Sequence, residues 1–304
     1  LRRAVSLVPS ATDTVVALGA AGSLVGISAD CDQPDASSPL PVVTRPVIDP
    51  SVAGVDPSAV DAAVREQLAS GALLYDLDVA RVVALAPDVV FAQDSCSVCA
   101  LPSSEVVAAL SRLGVSCDVV SLDPVSLEDV LATFAVVGGA LGAEEAGVAL
   151  EEACRRRLGA LGGRAAGAGA GAGGGRPRVL VLDWVDPPFV AGNWVPDLVR
   201  AAGGDPLLAA GGPSRQVSWD EALSSRPDVV VVAACGVDLA AGAAAALETG
   251  RRFKGARVIA FDGRVWFSRP GPRLVEGAEA LAAWLSGARP TGGVTSIEIT
   301  EAVR

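Results

Sequence analysis

Apolar and polar positions along this chain recur with two different periods. Short β-branched runs, AVSLV at 4–8, VVALGA at 15–20, LVGIS at 24–28, DVVFA at 88–92 and CDVVSL at 117–122, are separated by stretches of helical spacing. Apolar runs this short, bounded by helical stretches, imply βα units around a mainly parallel sheet. Ser10 and Thr12 are placed to cap the first helix, and Gly19 to end it. SLEDVLATFAVVGGALG from Ser126 predicts a further helix, with a capping serine and acids in its first turn.

From 143 to 161, AEEAGVALEEACRRRLGAL places acids early and arginines late, the order a helix dipole favours, and carries no strand signal. It runs into GGRAAGAGAGAGGGRPR (162–178), whose composition predicts a flexible surface loop. A second series follows: RVLVLDW at 178–184, a helix around 195–202, DVVVVAA at 228–234, a helix near 240–250, RVIAFDG at 257–263 and a last helix from 272. The predicted fold class is α/β. An N-terminal α/β lobe (1–142) and a C-terminal α/β lobe (178–304), both with mainly parallel sheets, are joined by one long backbone helix (143–162) and a Gly/Ala-rich flexible loop (163–177). Loops at strand carboxyl ends in such a plan form a ligand cleft between the lobes.

Charge and composition narrow what that cleft can take. Lys and Arg number 24 against 35 Asp and Glu, a formal net charge of -11, with a single lysine (Lys254) and no basic run. Nucleic-acid binding rests on phosphate neutralisation, so no nucleic acid partner is expected. No apolar run approaches the roughly 18–20 residues of a membrane span, so no direct membrane insertion is expected, and the chain is expected to be a monomer. It begins at Leu1 with no charged head, apolar core and small-residue cleavage site. The compartment stays open: periplasmic or extracytoplasmic if a signal segment preceded residue 1, otherwise cytoplasmic.

The chain contains no histidine, which excludes every mechanism that needs an imidazole base, including Ser-His-Asp and Cys-His catalysis. No glycine-rich phosphate loop follows a strand with the required spacing. No catalytic residue is assigned, and the chain is expected not to be an enzyme. Six cysteines in a chain this long do not make a disulfide scaffold. Cys117, Cys154 and Cys235 lie in apolar or helical contexts and are expected to be inert buried thiols.

Three stretches carry candidate chemistry. RVWFSRPGPRLVEGAEALAAWL (264–285) sets Trp266, Arg269 and Arg273 around prolines that suit a helix start, so it is either a stiff helix start or one lip of the cleft. DWVDPPFVAGNW (183–194) follows a strand and offers Trp184, Phe189 and Trp194 as an aromatic binding surface. QDSCSVCA (93–100) holds a Cys-x-x-Cys pair which, with Cys31 and Asp32 after the second strand and Asp94, can make a set of thiolates and carboxylates. Metal coordination by Cys31, Cys96 and Cys99, a redox pair and inert packing all remain open there.

At this point the motifs resemble a known family. VSLVPSATDTVVALGAAGSLVGISADCDQP, RVVALAPDVVFAQ, DPPFVAG, LVRAAGGDPLL, QVSWDEALSSRPDVVVV and WFSRPGPRLVEGAEAL fall in the order found in the helical-backbone (class III, TroA-like) periplasmic binding proteins, which include the iron-chelate and cobalamin receptors of ABC importers. The resemblance covers nearly the whole chain except about 46–74 and the glycine-rich loop. The segments CDQP, YDLD and QDSCSVCA are similar to a group assigned to cobalamin binding. The resemblance implies a solute-binding protein with cobalamin, or a related corrinoid or metal chelate, as ligand. The expected ligand contacts are Pro9, Ser10, Asp32, Tyr75, Gln93, Trp184, Phe189, Trp194, Trp266 and Arg269, with Tyr75, Trp184, Trp194 and Trp266 rebuilding an aromatic floor from positions near the family's own. Phe189 and Arg269 match corrin-contacting positions, whereas Asp30, Arg45, Gln93 and Ser214 stand where the cobalamin receptors carry aromatic contacts. The two acids that engage an ABC permease fall at Ala80 and Asp220, so one acidic anchor is retained. The alternative is a cysteine-centred, metal-binding or corrinoid-handling intracellular protein on the same fold.

Overall fold

The computed structural model describes residues 1–48, 57–94, 101–167, 175–209, 211–291 and 293–299. The chain divides into two compact units, Leu1–Pro124 with Asp129–Ala153, and Val125–Glu128 with Cys154–Arg304.

The first unit is built on four strands, β1 (Ala4–Ser6), β2 (Leu24–Ile27), β5 (Val89–Ala92) and β6 (Asp118–Ser121), in the order β2-β1-β5-β6 and all parallel. Successive residues of the two central strands enter opposite cores. Ala4, Val89 and Phe91 pack with Val8, Ala11, Val15, Leu122, Val137 and Leu141, while Val5 and Val90 pack with Leu7, Val43, Val82, Leu101 and Leu110. Burial on both faces is why these strands read as continuous apolar runs. A short antiparallel pair, β3 (Thr44–Pro46) with β4 (Tyr75–Leu77), stands apart from the sheet.

Helix α1 (Pro9–Ala17) starts earlier than its polar residues suggested. Val8 is the N-cap, Pro9 opens the helix, and Ser10 and Thr12 lie buried inside it rather than capping it. Thr12 instead turns its hydroxyl to Ser6, 2.9 Å away, beneath the end of β1. VVALGA is accordingly helix up to Ala17, closed by Gly19 at φ 70°. The unit's other helices are α2 (Pro57–Ala69), α3 (Val79–Leu85), α4 (Ser103–Arg112) and α5 (Leu127–Leu141), whose first residues belong to the second unit. Helix α6 (Glu144–Gly167) continues past 162 into the segment expected to be loop, because the alanines around Gly162, Gly163 and Gly167 favour helix.

The second unit has three parallel central strands, β7 (Arg178–Val185), β11 (Val229–Val232) and β12 (Arg257–Phe261). Short strands extend this sheet: β8 (Pro188–Val190) antiparallel to β7, β9 (Asp205–Pro206) parallel to the start of β7, β10 (Arg215–Gln216) antiparallel to β8, and β13 (Ser296–Ile299) antiparallel to β12. The helices are α7 (Val195–Ala201), α8 (Trp219–Ser224), α9 (Leu239–Arg252) and α10 (Arg273–Leu285). The later part of α6 is tied to α10 by a two-pronged ion pair, Arg157 to Glu279 at 2.9 and 2.7 Å.

Candidate functional site

In the first unit the predicted residues gather after the carboxyl ends of parallel strands. Pro9 opens α1 directly after β1, Ser10 is buried beside it, Asp32 is exposed after β2, and Gln93 is buried immediately after β5. Tyr75, the chain's one tyrosine, begins β4 and is half-buried. The Cys31 thiol lies among hydroxyls, 3.1 Å from Thr12 Oγ1 and 3.2 Å from Ser28 Oγ. Cys96 and Cys99 lie outside the described residues, so the thiolate set proposed from sequence is placed only at Cys31.

Asp94 is held in a hydrogen-bond network with two serines. Its carboxylate accepts from the Ser103 N–H at 2.6 Å, the Ser103 hydroxyl at 2.5 Å and the Ser121 hydroxyl at 3.0 Å, tying the start of α4 to β6. The Ser103 hydroxyl, above all, holds it below the ordinary carboxylate range. Among the described residues no three Cys, Asp or Glu side chains gather in a way that can hold a metal ion.

In the second unit the aromatic stretch is a hairpin rather than an irregular loop. Trp184 on β7 stands opposite Phe189 on β8, and both are half-buried. Directly paired residues of antiparallel strands point to the same face, so the two rings form one partly exposed aromatic surface. The Trp184 indole N–H donates to the Asp186 carbonyl at 3.0 Å and fixes the ring against the hairpin tip. Trp194 is buried, and its indole N–H donates to the Phe267 carbonyl at 2.8 Å.

The turn between β12 and α10 is anchored in three places. Phe267 packs edge-on against Phe261 at 4.9 Å, the Trp266 indole N–H donates to Thr295 Oγ1 at 2.9 Å, and Asp262 receives two prongs from Arg264 at 3.0 and 2.8 Å. Trp266 is therefore a buried support, and Arg269 follows it as a half-buried guanidinium on the same turn. Pro272 caps α10 and Arg273 is its first residue.

Sequence reasoning missed Asp183. This acid lies near the carboxyl end of β7, and its Oδ2 accepts the Ser214 hydroxyl. Its side chain keeps partial solvent access, but protein surrounds it on most sides, and burial pushes the carboxyl up to about 6 against the lowering bonds from Ser214 and its own peptide. The folded state thus holds this proton more tightly than the unfolded chain. The group's contribution to stability is fully present below its ordinary value of 3.8 and is lost as pH rises through about 6. The available signal was an acid within an otherwise apolar strand, VLVLDWV.

The family model for periplasmic binding proteins matches residues 5–249. The chain belongs to the periplasmic binding protein family. Among solved structures it is similar to a periplasmic heme-binding protein from Pseudomonas aeruginosa, with 24% identity, 96% of this chain and 95% of that one covered, and a TM-score of 0.70. It is also similar to the periplasmic heme-binding protein BhuT in complex with two hemes, with 25% identity, coverage of 94% and 98% and a TM-score of 0.66. The vitamin B12 binding protein BtuF of Vibrio cholerae shares 19% identity, with coverage of 93% and 96% and a TM-score of 0.60. A search of the curated proteins finds no match. No helix among the described residues is long and apolar enough to cross a membrane.

The remaining thiols differ from their expected uniform burial. Cys154 is buried, Cys117 is half-buried, and burial pushes both thiols up, whereas Cys235 is exposed because β11 ends at Val232 and the chain has left the sheet. Iodoacetamide is expected to label Cys235 at least about tenfold faster than Cys154 in the folded protein, followed by mass spectrometry over time. Equal rates would contradict the burial of Cys154.

Proposed function

We propose that this periplasmic binding protein captures cobalamin, or a related planar metal chelate such as heme, and delivers it to an ABC permease. The observation that carries the reading is the paired, partly exposed Trp184 and Phe189 on a hairpin at the carboxyl end of β7. A flat macrocycle buries large apolar faces on such rings and leaves its polar edge groups for a guanidinium, which Arg269 supplies. Pro9, Ser10, Asp32, Tyr75 and Gln93 are the proposed contacts from the first unit. Trp194 and Trp266 act from behind as supports, since their N–H groups already bond within the protein. The similar proteins bind heme or vitamin B12, which supports a metal macrocycle. With no histidine in the chain, no protein imidazole serves as an axial group to the bound metal.

Asp220 is exposed in the first turn of α8 and Ala80 is exposed near the start of α3, and these are the proposed permease-facing positions. A second reading follows from Cys31: the hydroxyls of Thr12 and Ser28 lie 3.1 and 3.2 Å from its sulfur and the Ser6 carbonyl accepts from the thiol at 3.9 Å, and this cysteine is the proposed metal ligand together with Cys96 and Cys99.

The test is calorimetric titration with cyanocobalamin, aquocobalamin and hemin, read in parallel by tryptophan fluorescence. Micromolar binding of at least one, with quenching, is the expected result. No binding better than about millimolar, roughly 4 kcal/mol, overturns the reading. Alkylation that abolishes metal uptake while leaving macrocycle binding intact would favour the cysteine-centred alternative.

A further inference from the structure

We propose that Asp183 is a positioning residue that latches the Gly192–Trp194 turn through Ser214, and that the latch is tightest with the carboxyl ionised. The inference rests on the reading that the β7–β8 hairpin and the turn after it form a ligand surface. The Gly192 N–H donates to Ser214 Oγ at 3.1 Å, and the Ser214 hydroxyl donates to Asp183 Oδ2. A parallel bond runs from the Asn193 N–H to the Gly212 carbonyl at 2.6 Å. The contact is close enough that a Cβ on Gly192 would overlap the Gly212 carbonyl oxygen and approach Pro213 C at 2.5 Å and Ser214 N at 2.6 Å. Asn193, at φ 49°, then turns the chain into Trp194, the anchor on Phe267.

A serine hydroxyl has a single proton. When Asp183 is ionised it can only accept, so the Ser214 proton points to it and a lone pair faces the Gly192 N–H. When Asp183 is protonated the charge-assisted bond from Ser214 is lost: the Asp183 O–H can donate to the second lone pair of Ser214 Oγ, and the Ser214 proton, without its ionised acceptor, no longer fixes the hydroxyl with a lone pair facing the Gly192 N–H. The carboxyl's raised value, about 6, puts this exchange in a moderately acidic range. The titratable or charged groups on the surrounding elements are Asp186 on its own hairpin, Arg215 on β10, paired with Glu221 at 2.7 Å, Cys235 after β11, and Asp262 after β12, paired with Arg264. Among the described residues none of these charges is a cause of the Asp183 shift.

The experiment is hydrogen exchange of the ligand-free protein at pH 5 and pH 7.5, corrected for intrinsic rates, on the segment containing Gly192 and Asn193. Wild type is expected to show at least about threefold greater protection at pH 7.5 than at pH 5, and Asp183→Asn and Ser214→Ala to show no such difference. A wild-type protection independent of pH, or a pH difference retained in Ser214→Ala, overturns the proposal. Ser214→Ala serves even where Asp183→Asn fails to fold. Titration of the same proteins with hemin and cyanocobalamin separates the two ideas: silence there overturns the ligand reading alone, because the exchange result is read without ligand.

Discussion

Replacing Gly263 with alanine is expected to destabilise the second unit by about 3 kcal/mol or more, near the upper end for overpacking. Gly263 is buried directly after β12, and its N–H donates to the Val237 carbonyl at 3.0 Å. A Cβ there would overlap the Ala234 carbonyl oxygen and come within 2.6 Å of Ala234 C and 2.9 Å of Ala233 C. All three atoms are backbone at the end of β11, so relief requires shifting a strand end rather than rotating a side chain. The same shift would disturb Cys235, whose N–H holds the Asp183 carbonyl at 3.0 Å. Urea denaturation followed by circular dichroism reads the loss. A change below about 1 kcal/mol would mean that the two strand ends separate at little cost.

The central strands and the long helices were legible because their periodicity follows from burial. Val229 to Val232 are buried on both faces, and four β-branched residues in a row after Pro-Asp read as an interior parallel strand, while the acid-to-arginine order of 144–157 marked α6. The flanking strands were not legible. Strands β9 and β10 are two residues each, one of them Asp-Pro, and two residues carry no period. Strand β13 is the exception: Ser-Ile-Glu-Ile alternates strictly, a signal that was available, although it spans only four residues after a proline- and glycine-rich segment. The site was read in part. The aromatics of 184–194 were visible as residue types, but only the hairpin register shows that Trp184 and Phe189 share a face while Trp194 turns inward. Ser214, in the polar run GGPSRQ, offered no sign of its role, since a bond across 31 residues leaves no local pattern.

Asp183 shows why such a group escapes propensity reasoning. A carboxyl whose ionisation is resisted by burial lowers stability at neutral pH, so fold consistency alone predicts an apolar residue in its place. What the fold offers it is a long-range partner: its Oδ2 accepts the Ser214 hydroxyl, whose oxygen accepts the Gly192 N–H.

Phe189→Ala is expected to weaken binding of the macrocycle by at least about tenfold, or roughly 1.4 kcal/mol. The ring is half-buried on a three-residue strand and shares its exposed face with Trp184, so truncation removes one of two adjoining stacking surfaces. Trp184→Phe keeps a ring at the neighbouring position and is expected to change affinity by less than about threefold, while reducing ligand-induced fluorescence quenching. Arg269→Ala removes a guanidinium from a turn already fixed by Phe267, Trp266 and Asp262. Its loss is therefore expected to leave the turn in place and to weaken binding by about tenfold or more through the ligand's polar edge. Calorimetric titration gives each affinity, and thermal melting of the ligand-free variants separates lost contacts from lost fold. Unchanged affinity in both Phe189→Ala and Arg269→Ala, with wild-type melting, would remove the hairpin and the turn from the ligand surface and direct attention to the strand ends around Cys31.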